Sequence, residues 1–167
     1  LVPGCGGLQW PCPNGDHPGT QILHSEKFSR GKGLFHGIEY RSPAEVADVE
    51  YPLTLTTGRS LWQYHTGTMT RRTSLLDREI PAPFVEINLE DARLMGIREG
   101  MKVRVETRRG SIAAEARLVD SVPRGSLFMP IHFSEAPANA LTDQSIDPLS
   151  KIAELKVSAA SLRKVMP

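Results

Sequence analysis

Long apolar runs, cysteines and surplus charge are all scarce in this chain of 167 residues. No stretch of eighteen apolar residues occurs, so we predict no membrane-spanning helix. The net charge is only +1, whereas a general nucleic-acid binder usually carries a strongly basic surface. We therefore expect neither a membrane span nor a nucleic-acid partner, and any anion site must be local.

The two cysteines, Cys5 and Cys12, are separated by six residues and have no companion pair of Cys or His. This spacing supports neither a zinc site nor an iron–sulfur motif. A disulfide between the two cysteines is one alternative, but free thiols in a reducing compartment are the default expectation. That default favours the cytoplasm, with the periplasm not excluded.

The first third of the chain lacks any regular hydrophobic period. Gly and Pro make up nine of the first twenty residues, which predicts an irregular segment. Trp10 favours a loop that lies against another part of a larger protein, because disordered segments are poor in aromatic residues. The chain begins with Leu1, and we expect it to be part of a longer protein. We predict an irregular extension or linker over residues 1–50 and a compact domain over 51–167.

The stretch 53–72 is the most informative. Residues 53–57 alternate Leu with Thr and predict a strand, and Gly58 then opens a loop without any acidic residue before Asp77. The loop is dense in side-chain donors, and Gly67 allows close backbone approach. Such a loop suits a polyanion such as a nucleotide pyrophosphate, although an ordinary polar surface loop explains the same composition.

The second half predicts a small β-rich domain. Strands are expected at 84–87, 101–107, 111–118, 126–133 and 153–158, with a helix at 89–95 between Asn88 and Gly96 and an amphipathic tail over the last nine residues. Pro130 predicts an edge or irregular strand. The simplest interpretation of four arginines in this half is that they lie on a solvated outer face. They are Arg104, Arg108, Arg109 and Arg117. Five or six strands with long crossovers favour a closed barrel over a sandwich.

The order of these features resembles a known family. The matching runs are residues 55–59, 65–70, 85–105, 108–112, 125–133 and 139–142, followed by Asp147-Pro148, Lys151 and Lys156. Together they resemble the C-terminal domain of the molybdopterin-dinucleotide oxidoreductases. Residues 7–13, 16–19 and 28–33 resemble the loop before that domain in the catalytic subunit of molybdenum- or tungsten-dependent formate dehydrogenases.

The resemblance implies a mainly β, double-psi β-barrel fold with one or two short helices that binds a bis-(molybdopterin guanine dinucleotide) cofactor carrying Mo or W. The cofactor-binding residues that it implies are Gly58, Arg59, Leu61, Gln63, His65, Thr66, His132, Asn139, Lys151 and Lys156. Arg59 and Lys156 would neutralise the pyrophosphate, and Asn139 would read a heterocycle edge. No catalytic or metal-ligating residue is implied in this chain.

The function implied is part of a formate dehydrogenase that oxidises formate to CO2. The metal ligand and the iron–sulfur clusters would belong to upstream domains of the same subunit, and we expect this chain alone to be inactive. Other electron-transfer subunits are the expected partners. The alternatives are the same domain of a nitrate reductase or another family member, and a cofactor-free β-barrel that serves as a protein-interaction module through exposed Trp10 and Trp62.

Overall fold

A computed structural model describes residues 7–165 of the chain, so the predictions concerning Cys5 lie outside the described residues. The chain divides into two compact units, Leu1–Tyr40 and Arg41–Pro167. No helix in the described part of the chain is both long and apolar enough to cross a membrane. The predicted domain boundary near residue 50 stays a prediction, although the larger unit begins ten residues earlier.

The larger unit is a closed barrel of six strands. The strands are β1 (Leu53–Gly58), β2 (Phe84–Asn88), β3 (Lys102–Thr107), β4 (Gly110–Val119), β5 (Ser126–Pro130) and β6 (Ser158–Lys164). The two helices are α1 (Ser74–Glu79) and α2 (Leu89–Met95), with 3-10 turns at Thr70–Arg72 and Ala138–Ala140. Around the barrel the strand order is β1-β5-β2-β4-β3-β6, and the last strand pairs with the first.

The strand order has an internal two-fold relation. Exchanging β1 with β4, β2 with β5 and β3 with β6 maps the parallel pair β1–β5 onto the parallel pair β2–β4. The same exchange maps the antiparallel pair β1–β6 onto β3–β4. Two crossed parallel connections in a closed six-stranded barrel are the arrangement of a double-psi β-barrel, so the predicted fold is confirmed.

The barrel interior is filled by the alternate residues that the sequence pattern points inward. Leu55, Val103, Val105, Ala116 and Leu127 are all buried, as period-two alternation requires. Helix α2 closes one end of the barrel, where the Asn88 side chain accepts a hydrogen bond from the Glu90 N–H at 2.9 Å. Gly96 ends this helix in the left-handed conformation, with φ of 62°.

The strand directions place three connections at one end of the barrel, which we call the upper rim. Strands β1, β3 and β5 run toward it, and the other three run away from it. The connections are rim loop 1 (residues 59–83), the β3–β4 hairpin turn at Arg108 and Arg109, and rim loop 2 (residues 131–157). The two segments singled out by sequence therefore leave the barrel side by side.

Two predictions about strands are wrong. The closing strand is 158–164 rather than 153–158, so the predicted amphipathic tail supplies it. Residues 153–157 instead cross the end of β1, where the Thr57 hydroxyl donates to the Leu155 carbonyl at 2.6 Å. Pro130 does not mark an edge, because the barrel is closed. The strand expected over 126–133 instead ends at Pro130, beside Gly58.

The solvated outer face predicted for four arginines is also only partly correct. Arg109 is half-buried and donates two hydrogen bonds of 2.7 Å to Glu45, and Arg108 donates to both Glu45 and Asp48. The Arg117 guanidinium lies 3.6 Å from the centre of the Phe84 ring. Residues 41–52 therefore form a strap that is held to the β3–β4 hairpin by charged hydrogen bonds.

The smaller unit has little regular structure, as predicted. A two-residue turn closes between Phe28 and Gly31 through reciprocal backbone hydrogen bonds of 2.9 Å. Ile22 and Leu23 lie outside any strand, and both side chains are exposed. Trp10 is also exposed, at 81%.

Candidate functional site

The two rim loops meet above the ends of the parallel strands β1 and β5. Gly58, the last residue of β1, lies beside Pro130 at the end of β5. A Cβ atom added to Gly58 would lie 2.6 Å from the Phe128 ring, so this ring packs against the glycine backbone. The Lys156 ammonium donates to the Thr57 carbonyl at 2.5 Å. This bond brings a cation of rim loop 2 to the point where rim loop 1 begins.

Rim loop 1 turns sharply between residues 64 and 67. His65 and Gly67 both have positive φ, of 55° and 74°, and the Gly67 N–H donates to the Tyr64 carbonyl at 2.9 Å. The Gly67 backbone lies close to rim loop 2, because an added Cβ atom would be 3.2 Å from His132 Cβ. Glycine therefore permits both the turn and the contact between the loops.

An open cavity of about 460 Å³ lies between these loops. Its lining is formed by Thr66, Gly67, Thr68, Arg71, Arg72, His132, Ser134 and Glu135. The hydroxyls of Thr66 and Thr68 are 3.1 Å apart. The cavity thus offers hydroxyl groups, the exposed Arg72 and one imidazole, which suits a polar, anionic ligand.

His132 is the residue of this cavity that most strongly indicates a ligand-binding role. The residue is only 1% exposed, yet neither ring nitrogen has a hydrogen-bond partner among residues 7–165. Burial and the nearby Arg71 charge lower the pKa of His132 below its ordinary value. The ring is therefore neutral at pH 7, with one N–H donor and one acceptor nitrogen. Buried polar groups without partners are rare in folded proteins, so this ring has unused bonding capacity at a cavity wall.

Gln63 presents a second unused donor in rim loop 1. Its side chain is buried, and its carbonyl oxygen accepts from the Thr70 hydroxyl at 2.6 Å. The Nε2 group has no partner within the described part of the chain. Gln63 therefore shapes the loop through Thr70 and keeps one donor available.

Arg71 ties the two rim loops together. Its Nη1 and Nη2 atoms donate to the two carboxylate oxygens of Glu135 at 2.7 and 2.9 Å, and its Nε donates to Asp77 at 3.0 Å. The hydrogen bonds from Arg71 lower the pKa of Glu135 to about 2. The Arg71 guanidinium also lies 5.1 Å from the centre of the Phe133 ring.

The structure brings some of the predicted site residues together and leaves others apart. Gly58, Arg59 and Lys156 lie at the end of β1, while Thr66 and His132 line the cavity. Leu61, His65, Asn139 and Lys151 are exposed on the rim loops, and Asn139 lies in the short 3-10 turn beside the β3–β4 hairpin. Their roles as cofactor contacts stay predictions.

Sequence reasoning missed the acidic partners of the site. Rim loop 1 has no acidic residue before Asp77, as the sequence shows. Arg71 in this loop is nevertheless neutralised by Glu135, which lies 64 residues later in the chain. Ser134 and Arg72 in the cavity were also missed. No local pattern marks them, because only the parallel pairing of β1 with β5 places residues 134 and 135 beside Gly67.

Comparison with known proteins identifies a family for most of the barrel. The family described as "Molydopterin dinucleotide binding domain" matches residues 53–159. The F420-dependent formate dehydrogenase 2 subunit alpha of Methanococcus maripaludis is 49% identical over 164 residues, covering 97% of this chain and 24% of the relative. The assimilatory nitrate reductase catalytic subunit of Bacillus subtilis is 36% identical over 162 residues, covering 94% of this chain and 23% of the relative.

Among solved structures, acetylene hydratase from Pelobacter acetylenicus matches 76% of this chain and 21% of its own length. The TM-score is 0.67 and the sequence identity is 19%, so this likeness concerns the fold alone. The chain spans about a quarter of the length of the curated relatives that it matches.

Proposed function

Because the chain belongs to the molybdopterin dinucleotide binding domain family, we propose that its upper rim holds a bis-(molybdopterin guanine dinucleotide) cofactor within a formate dehydrogenase catalytic subunit. The observation that carries the proposal is the cavity between the rim loops, in which the buried His132 ring has no partner among residues 7–165. A dinucleotide supplies the acceptors and donors that this ring lacks.

The residues on the rim fit such a group in charge and shape. Arg59 is exposed just after β1, and the Lys156 ammonium lies near the same strand end. Charge-assisted hydrogen bonds from these two cations would neutralise a pyrophosphate. The positive-φ turn around Gly67 leaves room for ligand oxygens beside the hydroxyls of Thr66 and Thr68. The exposed Asn139 side chain would bond to a heterocycle edge.

When bound, the cofactor supplies a molybdenum or tungsten centre that accepts the two electrons of formate oxidation. The residues of this chain would bind and orient the cofactor, with Arg59 and Lys156 toward its pyrophosphate and Thr66, Thr68 and His132 at the cavity wall. Neutral His132 holds its proton on one ring nitrogen and accepts a hydrogen bond on the other. Iron–sulfur clusters and the metal-ligating residue would lie in other parts of the subunit.

Formate is the favoured substrate of the whole subunit because of the sequence comparison. Over nearly the same share of this chain, identity is 49% to a formate dehydrogenase alpha subunit and 36% to a nitrate reductase. The name "subunit alpha" also supports further electron-transfer subunits as partners. We place the assembly in a reducing compartment, the cytoplasm, because of the cysteine usage.

The exposed apolar residues of the rim support contact with other domains of the same subunit. Leu61 is 91% exposed, Met69 73% and Leu149 92%, and all three belong to the rim loops. Three large apolar side chains with this much exposure on the rim loops are available for contact with another domain. The same surface is what a cofactor-free interaction module would use, so a ligand-binding experiment separates the two functions.

Calorimetric titration of the 167-residue chain with guanosine diphosphate tests the proposal. The probe carries the guanine and diphosphate of the dinucleotide. We expect Arg59→Ala to weaken binding by roughly tenfold to a hundredfold, since a charge-assisted hydrogen bond contributes about 1.5–3 kcal/mol. The melting temperature should stay unchanged.

The matched control is Arg98→Ala, which removes an exposed arginine from the α2–β3 turn at the opposite end of the barrel. It should bind the probe as the wild-type chain does. Equal weakening by both substitutions would indicate nonspecific charge attraction. The absence of binding by the wild-type chain at millimolar probe would favour the interaction module.

A further inference from the structure

Each of the three nitrogen atoms of the Arg71 guanidinium donates a hydrogen bond inside the protein. Three of its nitrogen atoms donate to carboxylates, two to Glu135 and one to Asp77. Its side chain is 22% exposed and that of Glu135 is 44% exposed, so the bridge is partly sheltered from water. Three of its five N–H groups are therefore used within the protein, which fixes the guanidinium in place at the edge of the cavity.

The bridge joins the two walls of the cavity at their base. On one side, the Arg71 N–H donates to the Gly67 carbonyl at 2.9 Å, next to Thr66 and Thr68. On the other side, Glu135 follows Ser134 and lies three residues after His132. Among residues 7–165, no other side-chain hydrogen bond joins rim loop 1 to rim loop 2. The bidentate geometry fixes orientation as well as distance.

We infer that the Arg71–Glu135 bridge is a positioning device, which holds rim loop 1 and rim loop 2 at the separation that the ligand requires without contacting the ligand itself. The inference rests on the proposed function and deepens it. Binding to loosely held loops costs conformational entropy, and loops that are already fixed avoid that cost. Breaking the bridge therefore lowers affinity even though no contact to the ligand is lost.

The test is a double-mutant cycle in the full chain with Glu135→Gln, Arg71→Lys and the double variant. Glutamine keeps the shape of Glu135 and removes its charge. Lysine keeps the charge of Arg71 but cannot donate two parallel hydrogen bonds to one carboxylate. The matched control is Glu79→Gln, because Glu79 is exposed in α1 and forms no ion pair within residues 7–165. The measurements are guanosine diphosphate affinity and amide hydrogen exchange without ligand.

We expect each single variant to bind the probe about tenfold more weakly than the wild-type chain. The double variant should match the weaker-binding single variant within about twofold, because both substitutions remove the same interaction. Glu79→Gln should change affinity by less than about twofold. In Glu135→Gln, amide exchange should accelerate at Gly67 and Arg71, in the loop that was not altered, and stay unchanged in β1. A general loss of stability would accelerate amide exchange in β1 as well.

Two results would overturn the inference. One is amide exchange at Gly67 that stays unchanged in Glu135→Gln, and the other is single-variant losses that multiply in the double variant. If the wild-type chain binds no probe, the proposed function fails and the exchange measurement decides alone. Faster exchange at Gly67 in Glu135→Gln then supports the bridge as a device that positions the loops, and unchanged exchange contradicts it.

Discussion

Gly67 shows how much a single residue determines at the rim. Its φ of 74° disfavours any side chain, and an added Cβ atom would lie 2.8 Å from Arg71 Cγ. We predict that Gly67→Ala lowers the free energy of unfolding by about 2 kcal/mol or more, through backbone strain and through displacement of Arg71. Chemical denaturation of the purified chain measures this loss.

Gly100 provides a close control for that substitution. Its φ is 73°, nearly the same as that of Gly67, but no atom lies within 4 Å of an added Cβ. Gly100→Ala should therefore cost only the backbone strain, about 1 kcal/mol. Equal losses at the two positions would show that the contact of Gly67 with Arg71 and His132 is unimportant for stability.

At the scale of elements, the strap 41–52 depends on one carboxylate. Glu45 accepts hydrogen bonds from Arg109 at 2.7 Å, from Arg108 at 2.8 Å and from the Ala159 N–H at 2.9 Å. The hydrogen bonds from Arg109, and then those from Ala159 and Arg108, lower the pKa of Glu45 from 4.5 to about 2, against the opposing effect of burial. The strap, the β3–β4 hairpin and the start of β6 thus meet at Glu45.

We predict that Glu45→Gln lowers the free energy of unfolding at pH 7 by about 2 kcal/mol, because two arginines lose their shared anion. The depressed pKa means that the contribution of Glu45 is complete above pH 4.5 and is lost as the pH falls toward 2. The stability gap between wild type and Glu45→Gln should therefore be constant from pH 5 to 8 and shrink below about pH 4.5.

Denaturant unfolding at a series of pH values checks this prediction, with Glu50→Gln as the control. Glu50 is exposed in the same strap and forms no ion pair in the described part of the chain. Glu50→Gln should have the same free energy of unfolding as the wild-type chain at pH 7. A gap for Glu45→Gln that widens on acidification would contradict the assignment of Glu45 as the ionised anchor.

The elements that were predictable from sequence are those with local signals. The β3–β4 hairpin follows from clean alternation around its arginine turn, and α2 follows from Asn88 and Gly96 at its ends. Strand β6 was misplaced because residues 158–161 are all buried and show no alternation of polar and apolar positions. The pairing of Arg71 with Glu135 and of Arg109 with Glu45 was unpredictable, since the two residues of each pair are 64 positions apart in sequence.

At the scale of the whole molecule, barrel closure is what turns separate loops into one site. Parallel pairing of β1 with β5 sets Gly58 beside Pro130, so both rim loops leave from adjacent strand ends. No residue pattern specifies that pairing, and the prediction of two facing walls came from the family resemblance. Local composition alone indicated an anion-binding loop without indicating its second wall.

We propose that the upper rim of the barrel binds a guanine dinucleotide between the two rim loops. This proposal can be tested by NMR mapping of backbone amide shifts during titration of the isotope-labelled chain with guanosine diphosphate. We expect saturable shifts that cluster at residues 58–68 and 132–156, with the α2–β3 turn at the opposite end of the barrel unaffected. Shifts that cluster at that opposite end, or no shifts at millimolar probe, would contradict it.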